Sequence, residues 1–262
     1  MEVHLVSEPT KHAIFGGKEA RRMQTASSAH GFKVMSDTLY QNKIKTVARE
    51  YLCNAYDAHV AAGKLDTPIE VTLDTHLTIR DFGHGIHDDN IVDVYCTLFG
   101  STKRKDDRQT GGFGLGSKVG FAYADHFQVT SIHEGVKTIY QMHIGGVEDD
   151  GMPLCQPIVS VPSTEPSGIE IKIEVGKKED DAEFIKEIRY AARAGGMLVK
   201  FNNSVIKVPD YTEIDKKGFG FVKAHDIYDY WRQRREKIAV RLGTVLYPID
   251  ANPRLDHLIS SL

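Results

Sequence analysis

Between Lys43 and Gly63 the apolar positions Ile44, Val47, Ala48, Tyr51, Leu52 and Ala55 recur at i, i+3, i+4, i+7, i+8 and i+11, the spacing that gathers side chains into one stripe of an α-helix. Gly63 supplies the stop, because glycine adopts the left-handed C-terminal turn without a Cβ penalty. Ser36, Asp37 and Asn42 are candidate N-caps for one or two helical pieces leading into it. At about 100° per residue, Glu50, Asn54 and Asp57 fall within an arc of roughly 60° on the flank of the stripe. Three polar groups therefore line the edge of a core-facing surface. Taken alone, they also read as a solvated helix flank.

Downstream the period changes to two. IEVTL (69–73) and LTIRD (77–81), separated by Asp74 and Thr75, predict an antiparallel hairpin. HDDNIVDVYCTLF has a helical pattern with Asp88, Asp89 or Asn90 near its start. HFQVTSI (126–132) and VKTIYQMHI (136–144) form a second hairpin around Glu134 and Gly135. The acidic and proline-rich residues 147–167 make a long connection with one strand at PIVSV, and GIEIKIEV (168–175) alternates cleanly as another strand. Residues 180–196 read as an amphipathic helix with Phe184, Ile185, Ile188 and Ala192 on one side, followed by MLVKFNN as strand and turn. Before Ser36, VHLV and AIF are short strand candidates around Gly16 and Gly17, with no chemistry attached.

Beyond Val205 the character shifts. Pro209, Gly218 and Gly220 mark loops, DIYDYWRQRREKIAVRL reads as a basic helix carrying Arg232, Arg234, Arg235, Lys237 and Arg241, and a strand runs from Gly243 to Ile249. The division expected is an extension over 1–36, a main domain over 37–204, and over 205–262 a C-terminal extension or the start of a second, transducer-like domain. The chain ends soon after that last strand, so more sequence is expected to follow.

Composition narrows the class. At 262 residues and 41% hydrophobic content the chain can bury a large core. A formal net charge of -3 gives no general polyanion-binding surface, so the basic stretch reads first as a solvated face or protein interface and nucleic acid is not the expected partner. Cys53, Cys96 and Cys155 are scattered and odd in number, which points to a reducing compartment. The first residues lack a charged stretch followed by a long apolar run, and no apolar run approaches the ~20 residues that span a bilayer, so neither a signal peptide nor a span is expected. A cytoplasmic protein is expected, with peripheral membrane association left open. His84 and His87 near Asp88 and Asp89 are read as a turn entering an acid-rich helix start, not as a metal cluster.

The glycines carry the candidate chemistry. Asp81-Phe82-Gly83-His84-Gly85 closes a strand and, taken alone, suits either an ordinary glycine-rich turn or a backbone that approaches a ligand closely. Residues 100–110 are polar throughout, and Lys103, Arg104, Lys105 and Arg108 suit either a solvated loop or a phosphate-facing lid. Gly111 to Lys118, GGFGLGSK, then runs into VGFAYAD, a helix start whose exposed N–H groups form an anion site. The order Gly116-Ser117-Lys118 is not that of a Walker A loop, and the segment does not follow a strand as a dinucleotide fingerprint does.

Taken in order, Glu50-x-x-x-Asn54-x-x-Asp57, Asp81-x-Gly83-x-Gly85 and Gly112-x-Gly114-x-Gly116 resemble the motifs of the GHKL superfamily, the Bergerat-fold ATP-binding domains of gyrase, Hsp90, MutL and sensor histidine kinases, over roughly residues 40 to 175. The resemblance implies an α/β class of the α+β two-layer kind, with a mixed, mainly antiparallel sheet covered on one face by helices. It implies ATP and Mg²⁺ as ligands. Asn54 would hold the metal, and Asp57 would join the nucleotide-binding set. Asp81 would accept the exocyclic amino group of adenine, with Gly83 and Gly85 close to the base. Gly112, Phe113, Gly114, Leu115, Gly116 and Ser117 would offer backbone donors to the phosphates, and Lys103 or Lys118 would add charge.

Glu50, one turn before Asn54, matches the residue that activates water in the ATPases of the superfamily and is generally lacking in its kinases, so slow ATP hydrolysis is expected. One departure stands out. The family places Gly-Thr at the later strand, whereas Gly168 is followed here by Ile169, leaving Thr130 as an alternative hydroxyl. SDTLYQNKIKTVAREYLCNAYDAH, STKRKDDRQTGGFGLGSKVGFAYAD and LGTVLYPID are further similar to the phage rapid-lysis A proteins of the rII type, membrane-associated members linked to lysis timing and prophage exclusion. That implies a nucleotide-gated dimerisation clamp with a protein or membrane partner in the host cell. The alternative is a scaffold of the same fold using ATP structurally or not at all.

Overall fold

The computed structural model describes residues 42–95, 116–146, 149 and 151–209, together with residues 212–213, 220–221, 238–242 and 244–249. Helix α1 spans Lys43–Ala62. Its first turn is capped by Asn42, whose Oδ1 accepts the Lys45 N–H at 2.9 Å, and Gly63 ends it in the left-handed region at φ 66°. Val47, Ala48, Tyr51, Leu52 and Ala55 are buried as the 3.6-residue period demands.

The strands that follow build one sheet. β1 (Ile69–Leu73) and β2 (His76–Arg80) form the first hairpin, with Asp74 Oδ1 accepting the His76 N–H to close the turn. Helix α2 (Asp88–Tyr95), a 3-10 turn (Gly116–Lys118) and the short helix α3 (Gly120–Tyr123) precede β3 (His126–His133) and β4 (Val136–Ile144). β5 (Pro153–Pro162), β6 (Gly168–Glu174), helix α4 (Asp180–Gly195), β7 (Val199–Phe201) and β8 (Ser204–Val205) complete the layer. The sheet has eight strands in the order β5-β4-β3-β6-β2-β1-β7-β8. Only β1 and β7 pair in parallel; the other neighbours are antiparallel.

Register fixes which face each side chain takes. Ile79, Ile171 and Val129 stand opposite one another across β2, β6 and β3, and all three join the cluster that includes Leu52, Phe184 and Ile188 from the helices. Helices thus cover one face, as the α+β two-layer expectation requires. The two helices also meet directly, Phe184 and Ile188 of α4 being fully buried beside the α1 stripe.

One expectation is extended and one is corrected. The strand expected at PIVSV runs from Pro153 to Pro162 along the edge beside β4. Its prolines interrupt the pattern at either side of PIVSV, yet they suit an edge. Gly145 N–H bonds Met152 O and Ser163 N–H bonds Gly135 O, so the inward register leaves Pro153, Pro157 and Pro162 among the outward positions. A proline has no N–H to offer a further strand, which protects an edge whose Ile158, Val159 and Val161 are exposed. Second, IAVRL is not helical. Residues Ile238–Leu242 form β11, paired antiparallel with β12 (Val245–Ile249), after a smaller pair of β9 (Thr212–Glu213) and β10 (Gly220–Phe221). Alternating β-branched residues with a partner strand across a tight turn favour the extended state over the helix that the upstream arginines implied. Residues 226–237, and the strand candidates before Ser36, lie outside the described residues.

The β11–β12 hairpin rests on the helices. Thr244, in its turn, is buried and places Oγ1 3.0 Å from Cys53 Sγ of α1. Burial pushes the Cys53 thiol up to about 11, so it behaves as a small packing group with a weak hydrogen bond. Among the described residues no helix is long and apolar enough to cross a membrane.

Candidate functional site

The flank of α1 is where distant segments converge. Glu50 and Asn54 are half-buried and Asp57 is buried. Gly116, in the 3-10 turn 62 positions after Asn54, packs against the first two: a Cβ there would lie 3.0 Å from Glu50 Oε2, 3.5 Å from Asn54 Nδ2 and 3.8 Å from Asn54 Oδ1. Absence of a side chain at Gly116 therefore leaves a cradle lined by a carboxylate and an amide. The other carboxylate oxygen of Glu50, Oε1, accepts from Arg49 Nη2 at 2.8 Å.

Tyr51 holds this arrangement together. Its hydroxyl donates to Ser117 O at 3.2 Å and accepts the Gly120 N–H at 2.9 Å, seating the turn on α1. Gly120 is tightly enclosed, since a Cβ would approach Phe127 Cδ1 to 2.6 Å and Tyr51 Oη to 2.8 Å. Read from sequence, Tyr51 was only a core position, because periodicity registers the ring and not the hydroxyl.

Lys118 differs from expectation. It is 5% exposed and its ammonium donates to Val94 O at 2.6 Å and to Ser117 Oγ at 3.1 Å, while Ser117 Oγ donates to the same carbonyl at 2.6 Å. These bonds satisfy the carbonyl of Val94 near the end of α2. Lys103, Gly112, Phe113, Gly114 and Leu115 lie outside the described residues.

The second cluster surrounds Asp81, immediately after β2. Its carboxylate is 5% exposed. Oδ1 accepts the N–H of Gly83 at 2.8 Å and of Ile169 at 3.2 Å. Burial raises its pKa to about 6, against the lowering effect of those two bonds and of the Arg80 and Lys64 charges. Gly83 sits against α1, where a Cβ would come 2.8 Å from Ala58 Cβ, and Gly85 at φ 72° would drive one into the Ile132 carbonyl. Gly168 at φ 141° likewise leaves no space for a Cβ beside the Asp81 carbonyl.

Register settles the hydroxyl next to this cluster. Thr130 pairs with Glu170, which pairs with Arg80, and so lies on the face away from the helix-packed Val129, Ile171 and Ile79. Ser131, one residue on, pairs with Ile169 on the helix side and binds both the N–H and the carbonyl of Ile86, at 2.9 and 2.8 Å. A shift of one residue reverses the face of a strand side chain, and sequence spacing alone did not resolve it. Among the described residues no group of three or more His, Cys, Asp or Glu is arranged to hold a metal.

Residues 42–175 match the family described as histidine kinase-, DNA gyrase B- and HSP90-like ATPases. Chaperone protein HtpG of Rickettsia akari (strain Hartford) is 27% identical over 232 residues, covering 78% of this chain and 35% of that protein. The HtpG of Rickettsia massiliae (strain Mtu5) is 28% identical over the same span. The chain therefore spans about a third of the length of these curated relatives. The ATPase region of Saccharomyces cerevisiae topoisomerase II aligns with a TM-score of 0.49 and 18% identity, over 63% of this chain and 49% of that one.

Proposed function

Because the chain belongs to the histidine kinase-, DNA gyrase B- and HSP90-like ATPases, we propose that the α1 flank and the Asp81 cluster together bind Mg²⁺-ATP and hydrolyse it slowly. The observation that carries this reading is the packing of Gly116 against Glu50 and Asn54. A glycine turn, a carboxylate and an amide oxygen meet where a triphosphate would need backbone donors, a base and a metal ligand.

The donor set fits the metal. Mg²⁺ is a hard cation that takes few protein oxygens and keeps several waters, and Asn54 Oδ1 beside the Gly116 cradle would be such a ligand. When bound, the ion would supply positive charge to the phosphate oxygens. Glu50 is the general base. Arg49 holds Oε1, and Oε2 takes the proton of a water as its oxygen bonds to the γ-phosphorus; the bond from that phosphorus to the bridging oxygen breaks, giving ADP and phosphate. Gly116 and Ser117 offer main-chain donors to the phosphates. At the other end Asp81 accepts the 6-amino group of adenine through its buried carboxylate, and Gly83 and Gly85 allow the chain to pass close to the base.

The finer reading is a nucleotide-gated homodimeric clamp of the phage rapid-lysis A kind, acting on a protein or membrane partner in the host cytoplasm; the sequence phrases quoted above support it. A second reading, a scaffold that uses nucleotide structurally or not at all, is favoured by Ile169 in the family's Thr position and by the buried ammonium of Lys118.

Calorimetric titration of a non-hydrolysable ATP analogue with Mg²⁺ into wild type, Asp81→Asn and Glu50→Ala decides between them. The ATPase reading expects binding by wild type and Glu50→Ala, loss in Asp81→Asn, and phosphate release by wild type alone. No binding by folded wild type sinks it and leaves the scaffold.

A further inference from the structure

Phe82, between Asp81 and Gly83, is held at both of its peptides by the end of α1. Phe82 N–H donates to His59 Nε2 at 2.8 Å, and Phe82 O accepts from Lys64 Nζ at 2.7 Å. His59 lies in the last turn of α1 and is 2% exposed. Lys64 follows the left-handed Gly63, and its own N–H returns to His59 O at 2.9 Å, so the helix end and the lysine form one unit. The Thr67 backbone near the ring opposes the lowering of the His59 pKa. Accepting from Phe82 requires the neutral imidazole, and burial, with the Lys64 and Arg80 charges, keeps its pKa below the usual value.

Phe82 lies directly between the groups that form the Asp81 cluster. Turning the Phe82–Gly83 peptide, which Lys64 holds, moves the Gly83 N–H away from Asp81 Oδ1, and turning the Asp81–Phe82 peptide, which His59 holds, redirects the carboxylate itself. Both backbone bonds end on Oδ1, so Oδ2 is the oxygen offered to a base. We infer that His59 and Lys64 are positioning residues that set base selectivity, clamping the Phe82 peptides so that Asp81 meets the 6-amino group of adenine. The inference rests on the ATP reading above. The three motifs of the sequence do not include either residue.

The test compares ADP with purine riboside diphosphate, which carries hydrogen in place of the 6-amino group, by calorimetry with Mg²⁺. A hydrogen bond to an ionised group gives wild type a preference for ADP of roughly tenfold to a hundredfold. In His59→Leu and Lys64→Met that preference is expected to collapse towards unity through weaker ADP binding, with purine riboside diphosphate held within about twofold. His59→Gln, which still accepts from Phe82, and Lys64→Arg are expected to retain it. A preference unchanged in Lys64→Met overturns the inference, as does an equal loss for both ligands, which marks a merely structural role; Lys64→Met decides alone if His59→Leu does not fold. Wild type that binds neither ligand overturns the ATP reading and this inference together.

Discussion

A side-chain carbon on Gly116 would stand 3.0 Å from Glu50 Oε2, closer than carbon and carboxylate oxygen ordinarily settle. Arg49 holds only Oε1, so Gly116→Ala is accommodated by rotating Oε2 at the far end of the Glu50 side chain, at small cost to the fold. The base is then misplaced. Steady-state phosphate release should fall by about 10²-fold, the scale of general-base catalysis, while the melting temperature stays within about 2 °C of wild type. Unchanged turnover would remove Glu50 from the role of base.

Asp81 sets recognition against stability. Its folded pKa of about 6 lies above the ordinary 3.8, so protonation favours the folded chain. The cost is absent below about pH 4, sets in between 4 and 6, and is complete above 6, where it amounts to roughly 3 kcal/mol. Asp81→Asn keeps an acceptor for Gly83 and Ile169 and removes the buried charge. Urea denaturation should therefore show the variant more stable by about 1–3 kcal/mol at pH 7.5, with the gap closing at pH 4. A destabilised variant at pH 7.5 contradicts the assigned burial cost.

Two glycines with positive φ separate strain from crowding. Gly63 has φ 66° with nothing within 4 Å of a built Cβ, whereas Gly168 at φ 141° faces the Asp81 carbonyl and the Arg80 guanidinium. Gly63→Ala should cost about 1 kcal/mol, from backbone strain alone. Gly168→Ala should cost about 2–4 kcal/mol and weaken nucleotide binding, because the clash is relieved only by moving the strand end that carries Asp81. Equal losses of stability in chemical denaturation would show that crowding at Gly168 contributes nothing.

Periodicity was enough for the α1 stripe, both hairpins and α4, since burial on one face of a regular element leaves a repeating mark. The Gly116 contact with Glu50 and Asn54 joins segments that the sequence keeps far apart. What stayed hidden depends on polar atoms and register. Tyr51 counts as apolar until its hydroxyl is seen between Ser117 and Gly120. Thr130 and Ser131 are neighbours in sequence, and only the ladder with β6 assigns them to opposite faces. Lys118 reads as a charge for a phosphate until its burial against Val94 O is known. The edge strand β5 carries prolines that argue against any central strand, and its ladder with β4 makes sense of them.

Ile169 offers a gain-of-affinity prediction. It stands opposite Ser131 on the helix side of the sheet, is partly buried against the core, and donates its N–H to Asp81 Oδ1. The Ile169 N–H already meets Asp81, so the departure from the Gly-Thr pair lies in the side chain. Threonine keeps β-branching and the strand conformation, so Ile169→Thr should retain the Asp81 bond while adding a hydroxyl beside the proposed base site. Loss of apolar burial should lower stability by about 1 kcal/mol. One added neutral hydrogen bond contributes about 0.5–1.5 kcal/mol, so ADP affinity should rise roughly threefold to tenfold in calorimetric titration with Mg²⁺. A folded Ile169→Thr protein whose ADP affinity equals or falls below that of wild type would place the adenine edge elsewhere than beside Asp81 and residue 169.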